Sequence, residues 1–264
     1  MARRNRLDTE LVRRGLARSR EHAAELVAAG RVQLRGVRAD KPAAMVDPAE
    51  PVRVLAVEGD DYVSRGGHKL AGALAAFAEL GVAGRRCLDA GASTGGFTDV
   101  LLRRGAAAVI AVDVGYGQLA WPLRNDSRVT VLERTNVRSL TPEQIGGLVD
   151  LTVADLSFIS LRLVLPALAA CTRPEGDLVP MVKPQFEVGR ERVGAGGVVR
   201  EPALRAEAVL DVAAAAAGLG LGVAGVAVSP LPGPSGNVEF FLWLRRGAPP
   251  ADPAQVHALA GGAP

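Results

Sequence analysis

RCLDAGASTGGFTDVLLRRGAAAVIAVDVG, residues 86–115, is the stretch that decides the fold. An apolar run ends in a glycine-rich turn, a helical stretch follows, and a second apolar run ends in Asp113. A strand, a helix and a strand in this order predict a βαβ unit, in which the two strands lie parallel in one sheet. Three glycines in the turn, Gly91, Gly95 and Gly96, allow the backbone to approach a ligand closely.

The same alternation continues toward the C-terminus. Further strands are predicted in VTVLER, DLTVADLSF and DLVPMVKP, with a helix through LRLVLPALAAC and another that opens at Pro202. The runs GVAGVAVSPL and NVEFFLWLRR are joined by PGPSGN, which is too short for a crossover helix, so they are expected to pair antiparallel. The predicted fold class is α/β, a Rossmann-like sheet finished by a C-terminal antiparallel hairpin, an architecture associated with methyltransferases.

Composition narrows the class of protein. A chain of 264 residues with 48% hydrophobic content can bury the core of one large domain plus a small one. Cys87 and Cys171 lie far apart without CxxC or Cys/His spacing, so neither a disulfide nor a metal site is expected, and a reducing cytoplasm fits best. The longest uncharged stretch, from Val212, is interrupted by glycines, which predicts a helix, a turn and a strand and no association with a membrane.

Positive charge is concentrated at the front of the chain. Residues 1–38 contain ten arginines against four acidic residues, an excess of six that exceeds the net charge of +3 of the whole chain. Asp8 and Ser19 are expected to cap two helices, the second ending at Gly30, and RVQLRGVRADKP predicts two short strands joined at Gly36. Such a face is either solvated or contacts phosphates, and its one-sided sign favours phosphates. The candidate RNA-binding residues are Arg4, Arg6, Arg14, Arg18, Arg20 and Arg31.

The order RLDTELVRRGLARSREHAAELVAAGRVQLRG resembles the S4 domain, a small α+β RNA-binding module. The predicted organisation is therefore an S4-like domain at residues 1–60, a linker at 61–66, the α/β domain at 67–247 and a low-complexity tail at 248–264.

The turn at residues 89–97 predicts a crevice for a nucleoside-containing ligand at the carboxyl ends of the strands. Its spacing is not GxGxxG, because Ser93 stands where a dinucleotide fold requires its second glycine. Asp113, 22 residues after Gly91, is placed to accept hydrogen bonds from a ribose diol. Sites for NAD and for S-adenosylmethionine both use such a carboxylate, so Asp113 alone does not decide between them.

Four further charges stand next to apolar runs. Asp155 ends one predicted strand, Lys183 ends another, Glu239 begins the last, and Lys69 lies in the first turn of a helix whose buried face contains Leu70, Leu74 and Phe77. Considered singly, each of these four residues would be interpreted as an ordinary charge on the protein surface. Together, two of only three lysines and two carboxylates at sheet ends predict a shared site. Methyl transfer to a hydroxyl needs a group that takes up the proton, and Lys183 is a candidate either as that base or as a fixed positive charge.

The motifs DAGASTGGFT, ADLSFIS, VKPQFE and SPLPGPSGNVEFFLWL resemble those of the FtsJ-type ribose 2'-O-methyltransferases, and with the S4-like front they resemble the TlyA family. The resemblance implies S-adenosylmethionine-dependent methylation of cytidine 2'-hydroxyls in the ribosomal RNA of the small and often also the large subunit. No obligate protein partner is expected. It implies a catalytic tetrad of Lys69, Asp155, Lys183 and Glu239. It also implies a methyl-donor site formed by Asp89, Gly91, Ser93, Gly95, Gly96, Phe97, Asp113 and Asn136. Two alternatives are a membrane-active haemolysin and a catalytically dead RNA-binding ribosome-assembly factor.

Overall fold

The structure, a computed structural model, describes residues 4–17, 20–55 and 62–263. Contacts divide the chain into two compact units, Met1–Asp61 and Tyr62–Pro264. The division falls near the predicted boundary at residue 60, in the segment that follows the last strand of the first unit.

The first unit is small and mixed. It contains the helices α1 (Leu7–Arg13) and α2 (Arg20–Ala28) and the strands β1 (Asn5–Arg6), β2 (Val32–Leu34), β3 (Val37–Arg38), β4 (Met45–Val46) and β5 (Val52–Val54). Strand β2 pairs antiparallel with β3 and β5, while β1 pairs with β4. Apolar residues from both helices and from β2 and β4 form its core, among them Leu7, Leu11, Leu26, Val32 and Val46.

The helix ends of this unit differ in part from the prediction. The first helix begins at Leu7, one residue before Asp8, so Asp8 lies inside the first turn and is not its cap. The carboxylate of Asp8 is nearly buried and pairs with Arg6 at 2.8 Å, and this hydrogen bond holds the pKa of Asp8 below its usual range. Gly30 follows α2 with φ +71°, as expected for a glycine that ends a helix. Ser19 lies outside the described residues.

The second unit carries the predicted alternation of strands and helices. Its strands are β6 (Arg86–Ala90), β7 (Ala108–Val112), β8 (Val129–Leu132), β9 (Val149–Ala154), β10 (Thr172–Val182), β11 (Gly222–Val228) and β12 (Phe240–Arg245). Its helices are α3 (Arg65–Ala76), α4 (Gly96–Arg103), α5 (Trp121–Arg124), α6 (Leu165–Cys171), α7 (Pro184–Glu187), α8 (Pro202–Ala217) and α9 (Pro253–Gly262). Single 3-10 turns lie at Val137–Ser139, Leu161–Leu163 and Arg190–Arg192, and Ala195–Gly197 forms an irregular turn in which both glycines have positive φ.

These seven strands form one sheet in the order β11-β12-β10-β9-β6-β7-β8. The strands from β10 to β8 pair parallel, whereas β12 is antiparallel to both of its neighbours, β10 and β11. The Rossmann-like fold class with its antiparallel ending is therefore confirmed. The strand order reverses at β6 and β9, and ligands of such sheets bind outside the carboxyl ends of the strands at this reversal.

Both faces of the sheet are covered by apolar layers. Along β12, Phe240, Leu242 and Leu244 face the layer that contains α6, α8 and α9, while Phe241 and Trp243 face the layer that contains α3 and α4. The alternation follows from the two-residue period of a strand. A sheet buried on both faces leaves its strand ends as the natural location for polar, functional side chains.

Two segments outside the predicted α/β domain belong to its packing. Residues 248–264, predicted as a low-complexity tail, instead contain helix α9, in which the side chain of Asp252 caps the first turn and Val256 and Ala260 are fully buried. The predicted linker at 61–66 overlaps the start of α3 at Arg65, and the amide of Val63 donates to Asp99 at 2.9 Å. Aspartate followed by proline, at 252–253, was the sequence signal for the missed helix.

Candidate active site

The glycine turn between β6 and α4 forms the floor of the site. Gly91 has φ +88°, and a Cβ at this position would overlap the carbonyl oxygen of Asp155, so the turn requires glycine there. Gly95, with φ +96°, is the residue that precedes α4. Ser93 also adopts a left-handed conformation, with φ +47°. The turn thereby keeps its backbone close to the end of β9.

A cavity of about 630 Å³ opens over this turn, at the carboxyl ends of β6, β7 and β9. Five residues of the predicted donor site and tetrad line it, namely Gly91, Ser93, Asp113, Asn136 and Asp155. The remaining lining residues had no predicted role, and they are Val114, Gly115, Gln118, Val137, Leu156, Ser157, Phe158, Ile159 and Val164. Five of these nine, Val114, Gly115, Leu156, Ser157 and Phe158, lie within three residues after the predicted strand ends Asp113 and Asp155, so the strand-end rule could have found them.

Asp113 is held in a fixed orientation at the end of β7. One of its carboxylate oxygens accepts a hydrogen bond from the amide of Ser93 at 2.8 Å, and the other accepts from the amide of Gly115 at 2.6 Å. Each carboxylate oxygen can accept more than one hydrogen bond. Asp113 can therefore still accept hydrogen bonds from a pair of hydroxyl groups in the cavity.

Asn136, which also lines the cavity, directly precedes the 3-10 turn Val137–Ser139. Its Oδ1 accepts a hydrogen bond from the amide of Arg138 at 3.0 Å. Because the oxygen is used in this way, Asn136 presents its amide NH₂ group as a donor to a ligand.

Four residues of the predicted donor site lie behind the turn and not in the lining of the cavity. Gly96 packs against the start of α3, and the ring of Phe97 packs on Phe241 with 6.0 Å between ring centroids. Asp89 is fully buried, and its Oδ2 accepts from the hydroxyl of Thr98 at 2.6 Å. Burial raises the pKa of the Asp89 carboxyl to about 7. With Gly95, these residues determine the shape of the turn.

One lysine–carboxylate pair stands at the cavity. The Nζ of Lys183, which directly follows β10, lies 2.6 Å from Oδ1 of Asp155, which directly follows β9. The contact is an ion pair without hydrogen-bond alignment, and the Nζ donates a hydrogen bond to the hydroxyl of Ser157 at 3.0 Å. The side chain of Asp155 is 25% exposed, so this pair is open to a ligand on the carboxylate side.

A second lysine–carboxylate pair is closed. The Nζ of Lys69 donates to Oε2 of Glu239 at 2.5 Å, and the two side chains are only 9% and 1% exposed. Lys69 is the fifth residue of α3, in its second turn and not in the first turn as predicted. Glu239 immediately precedes β12, and its carbonyl accepts from the amide of Ser229.

The sheet brings three of the four charges to one edge. Strand β12 runs antiparallel to β10 with Val182 opposite Phe240, so Lys183, one residue later, and Glu239, one residue earlier, follow at the same end. Strand β9 is the parallel neighbour of β10, which adds Asp155 to this edge. Lys69 reaches the group from α3 through its bond to Glu239.

The loop after β9 projects an aromatic side chain that sequence reasoning did not single out. Phe158 has φ +64° and is 92% exposed, with its ring 5.3 Å from that of Phe186. The loop is held by Glu187, which accepts from the hydroxyl of Ser160 at 2.5 Å and from the amide of Leu161 at 2.7 Å. A buried carboxylate in α7 thus fixes the loop next to the Lys183–Asp155 pair.

The arginines predicted to bind RNA have different environments. Arg14 pairs with Glu10 at 2.7 Å and donates to the carbonyl groups of Pro48 and Glu50, so most of its side chain is buried. Arg6 and Arg20 both pair with Asp8 but remain 48% and 60% exposed. Arg31 donates to the carbonyl of Leu55, Arg4 is exposed, and Arg18 lies outside the described residues.

Neither a metal site nor a reactive cysteine is supported in the described part of the chain. Among residues 4–17, 20–55 and 62–263, no group of three or more His, Cys, Asp or Glu side chains is arranged to hold a metal ion. Cys87 and Cys171 are buried free thiols, and desolvation raises their pKa to about 12 and about 11. No helix in these ranges is long and apolar enough to cross a membrane.

Comparison with known families covers both units. The sequence profile of the FtsJ-like methyltransferase family matches residues 62–246, and that of the S4 domain matches residues 5–52.

Individual relatives match almost the whole chain. It is 66% identical over 245 residues to the 16S/23S rRNA (cytidine-2'-O)-methyltransferase TlyA of Mycobacterium tuberculosis, covering 93% of this chain and 91% of the relative. It is 36% identical over 236 residues to Hemolysin A of Brachyspira hyodysenteriae, covering 89% of this chain and 97% of the relative. A solved structure from Streptococcus thermophilus, described as a candidate hemolysin, superposes with a TM-score of 0.77 at 42% identity, covering 99% of this chain and 96% of that one.

Proposed function

Because the chain belongs to the TlyA family of FtsJ-like methyltransferases with an S4 domain, we propose that it methylates the ribose 2'-hydroxyl of cytidine in ribosomal RNA. The small-subunit 16S RNA is the first expected substrate and the 23S RNA the second. The observation that carries this proposal is the pair of lysine–carboxylate contacts at the cavity edge of the sheet. The expected location of the protein is the cytoplasm, where ribosomal subunits are assembled and modified.

The cavity over the glycine turn is the proposed site for S-adenosylmethionine, which supplies the methyl group from its sulfonium centre. The chemistry of the residues fits such a ligand. Asp113 offers two oriented acceptors for a ribose diol, and Asn136 offers amide donors for the acceptor nitrogens of adenine. Gly91 lets the turn pack directly on the carbonyl group of Asp155, so that the backbone of the turn lines the cavity. Asp155 adds a negative charge beside a ligand that is a cation.

Lys183 is the proposed residue that acts on the ribose hydroxyl. As the new bond between oxygen and carbon forms, the hydroxyl must give up its proton and its oxygen must tolerate developing negative charge. The Nζ of Lys183 is held by Asp155 and Ser157 and serves either as the base that takes this proton or as the fixed positive charge. Lys69 and Glu239, through their closed pair, position the end of β12 beside it.

Labelled methyl transfer to purified ribosomal subunits tests this function. Protein incubated with methyl-labelled S-adenosylmethionine is expected to label RNA, and mass spectrometry is expected to find the label as 2'-O-methylcytidine. Asp113→Ala is expected to lose donor binding in calorimetry, because the oriented acceptors are removed. Binding of the donor without any transfer would favour the dead assembly factor. Leakage of liposomes caused by the protein without donor would favour the haemolysin.

Lysine and arginine variants separate the two roles of Lys183. Arginine keeps the positive charge but does not give up its proton at working pH. Residual transfer by Lys183→Arg, measured in single turnover, would therefore support a fixed charge, and complete loss would support a base.

The first unit is the proposed RNA-binding module, through phosphate contacts from its exposed arginines. Replacing Arg4, Arg6 and Arg20 with glutamine is expected to weaken RNA binding and to reduce the dependence of the affinity on salt. The logarithmic slope should fall by about 0.7 for each phosphate of a single strand that the protein no longer neutralises. Arg14→Gln is the matched control, because this side chain is mostly buried against Glu10 and backbone carbonyls. It is expected to lower the stability of the unit more than its affinity for RNA.

A further inference from the structure

A second cavity, of about 480 Å³, lies beside the proposed donor site. The two cavities share Phe158 and Ile159 in their lining, so the loop after β9 separates them. Helix α7, which follows Lys183 directly, contributes Gln185 and Phe186 to the second cavity, and Arg190 completes its edge. The second cavity is thus lined by the helix that directly follows the lysine proposed to act on the ribose.

The position of this cavity fits the base of the nucleotide that is methylated. In a nucleotide, the base is attached to the sugar carbon next to the one that carries the 2'-hydroxyl. A hydroxyl placed at Lys183, facing the donor cavity, therefore leaves the base close by. The second cavity is the space on the side of the loop away from the donor. Enzymes that modify single nucleotides commonly take the base out of its stack into such a pocket.

Gln185 is the polar residue in this cavity whose hydrogen bonding is incomplete. Its Oε1 accepts no hydrogen bond within the described part of the chain and is enclosed by protein atoms, so the side chain must rotate for this oxygen to meet a base in the cavity. A buried acceptor without a donor costs free energy that a ligand donor can recover. Phe186, next to it, adds an apolar wall against which the face of a base can pack.

Pyrimidines differ at the atom that such an acceptor would contact. Cytosine carries an amine donor at position 4, whereas uracil carries a carbonyl acceptor there. The Oε1 of Gln185 can therefore accept a hydrogen bond from the amine of cytosine, whereas the carbonyl oxygen of uracil would repel it.

We propose that the second cavity binds the target base and that Gln185 is a specificity-determining residue, whose Oε1 accepts a hydrogen bond from the exocyclic amine of cytosine. This inference rests on the proposed function and adds to it how cytidine is distinguished from uridine.

The test measures the selectivity of transfer and not only its rate. Ribosomal subunits are prepared with either cytidine or uridine at the target position mapped by mass spectrometry, and single-turnover methylation is measured on both. The wild type is expected to prefer cytidine. Gln185→Leu is expected to lower the ratio of the cytidine rate to the uridine rate roughly tenfold, because the acceptor is removed. Gln185→Glu keeps an acceptor and is expected to retain the preference.

Gln144→Leu is the matched control, since Gln144 is exposed and its Oε1 accepts from the amide of Thr141 away from both cavities. Its rate ratio is expected to equal that of the wild type. An unchanged ratio in Gln185→Leu, or an absent preference in Gln185→Glu, would overturn the assignment of Gln185 while leaving the methyltransferase function intact. A wild-type protein that transfers no methyl group to either RNA would contradict the proposed function itself.

Discussion

The two lysine–carboxylate pairs at the end of the sheet have the same chemistry and opposite accessibility. Lys69 and Glu239 form a hydrogen-bonded pair at 2.5 Å that is almost sealed from solvent. Lys183 and Asp155 lie equally close, but Asp155 lines the donor cavity and a quarter of its side chain is exposed. A closed pair can hold neighbouring elements in position but cannot contact a substrate, whereas an open pair can do both. The two lysine side chains are equally buried, at 9% and 10% exposed, so the difference lies in their carboxylates, and the exposure of Asp155 supports the proposed role of Lys183 in the chemistry.

Removal of the open lysine is expected to have the largest effect on activity. Lys183→Ala should reduce single-turnover methyl transfer by roughly 10²- to 10⁴-fold, the range typical of a group that handles a proton in the transition state. Donor affinity, measured by calorimetry, should change little, since Lys183 does not line the donor cavity. Methyl transfer at the wild-type rate by this variant would contradict the proposal that the open pair takes part in the reaction and the closed pair does not.

Breaking the closed pair is expected to act on stability first. Lys69→Met leaves the carboxylate of Glu239 buried without its cation, and the loss of one partner of a buried pair costs about 3–5 kcal/mol of unfolding free energy. The double variant Lys69→Met with Glu239→Leu should recover much of that loss in urea denaturation, because no unpaired charge remains. Equal stability of the single and double variants would show that the pair is not closed in solution.

Ser157 sharpens the comparison, because within the described part of the chain it gives the open pair a third polar partner. Ser157→Ala removes the hydroxyl that accepts from the Nζ of Lys183, and transfer is expected to fall roughly tenfold, as for the loss of a hydrogen bond to a charged group. Ser127→Ala, at an exposed position, is the control and should leave the rate unchanged. A normal rate in Ser157→Ala would mean that Asp155 alone orients the lysine.

Asp89 extends the comparison to a buried carboxylate without a lysine partner. Because burial raises its pKa to about 7, the folded protein holds this proton more tightly than the unfolded chain, whose aspartate titrates near ~4. Stability should therefore fall as pH rises from ~4 through about 7 and then level off. Asp89→Asn should weaken this pH dependence. The fall in melting temperature between low and high pH should be a few degrees smaller in this variant than in the wild type. Asp252→Asn, at an exposed helix cap, should keep the wild-type pH dependence.

The parts of the fold that were predicted depend on local pattern, and the parts that were missed depend on distant contacts. The period of apolar residues and the glycine turn predict β6, α4 and β7, and the strand-end rule predicts where Asp155 and Lys183 lie. The exposed ring of Phe158 depends on the clamp between Ser160 and Glu187, which are 27 residues apart. The structural use of Arg14 depends on carbonyl groups more than 30 residues away. Neither partner is visible from the local sequence.

The interior position of β12 has a consequence for how the protein is made. A chain is synthesised from its N-terminus, and β12, although last in sequence among the strands, lies between β10 and β11. Until it emerges from the ribosome, β11 has no neighbour to join it to the rest of the sheet, and Lys69 has no carboxylate from Glu239. A nascent chain that ends before β12 can therefore pair its early parallel strands but lacks one carboxylate of the proposed site. The proposed site is therefore complete only after β12 has been synthesised and has joined the sheet.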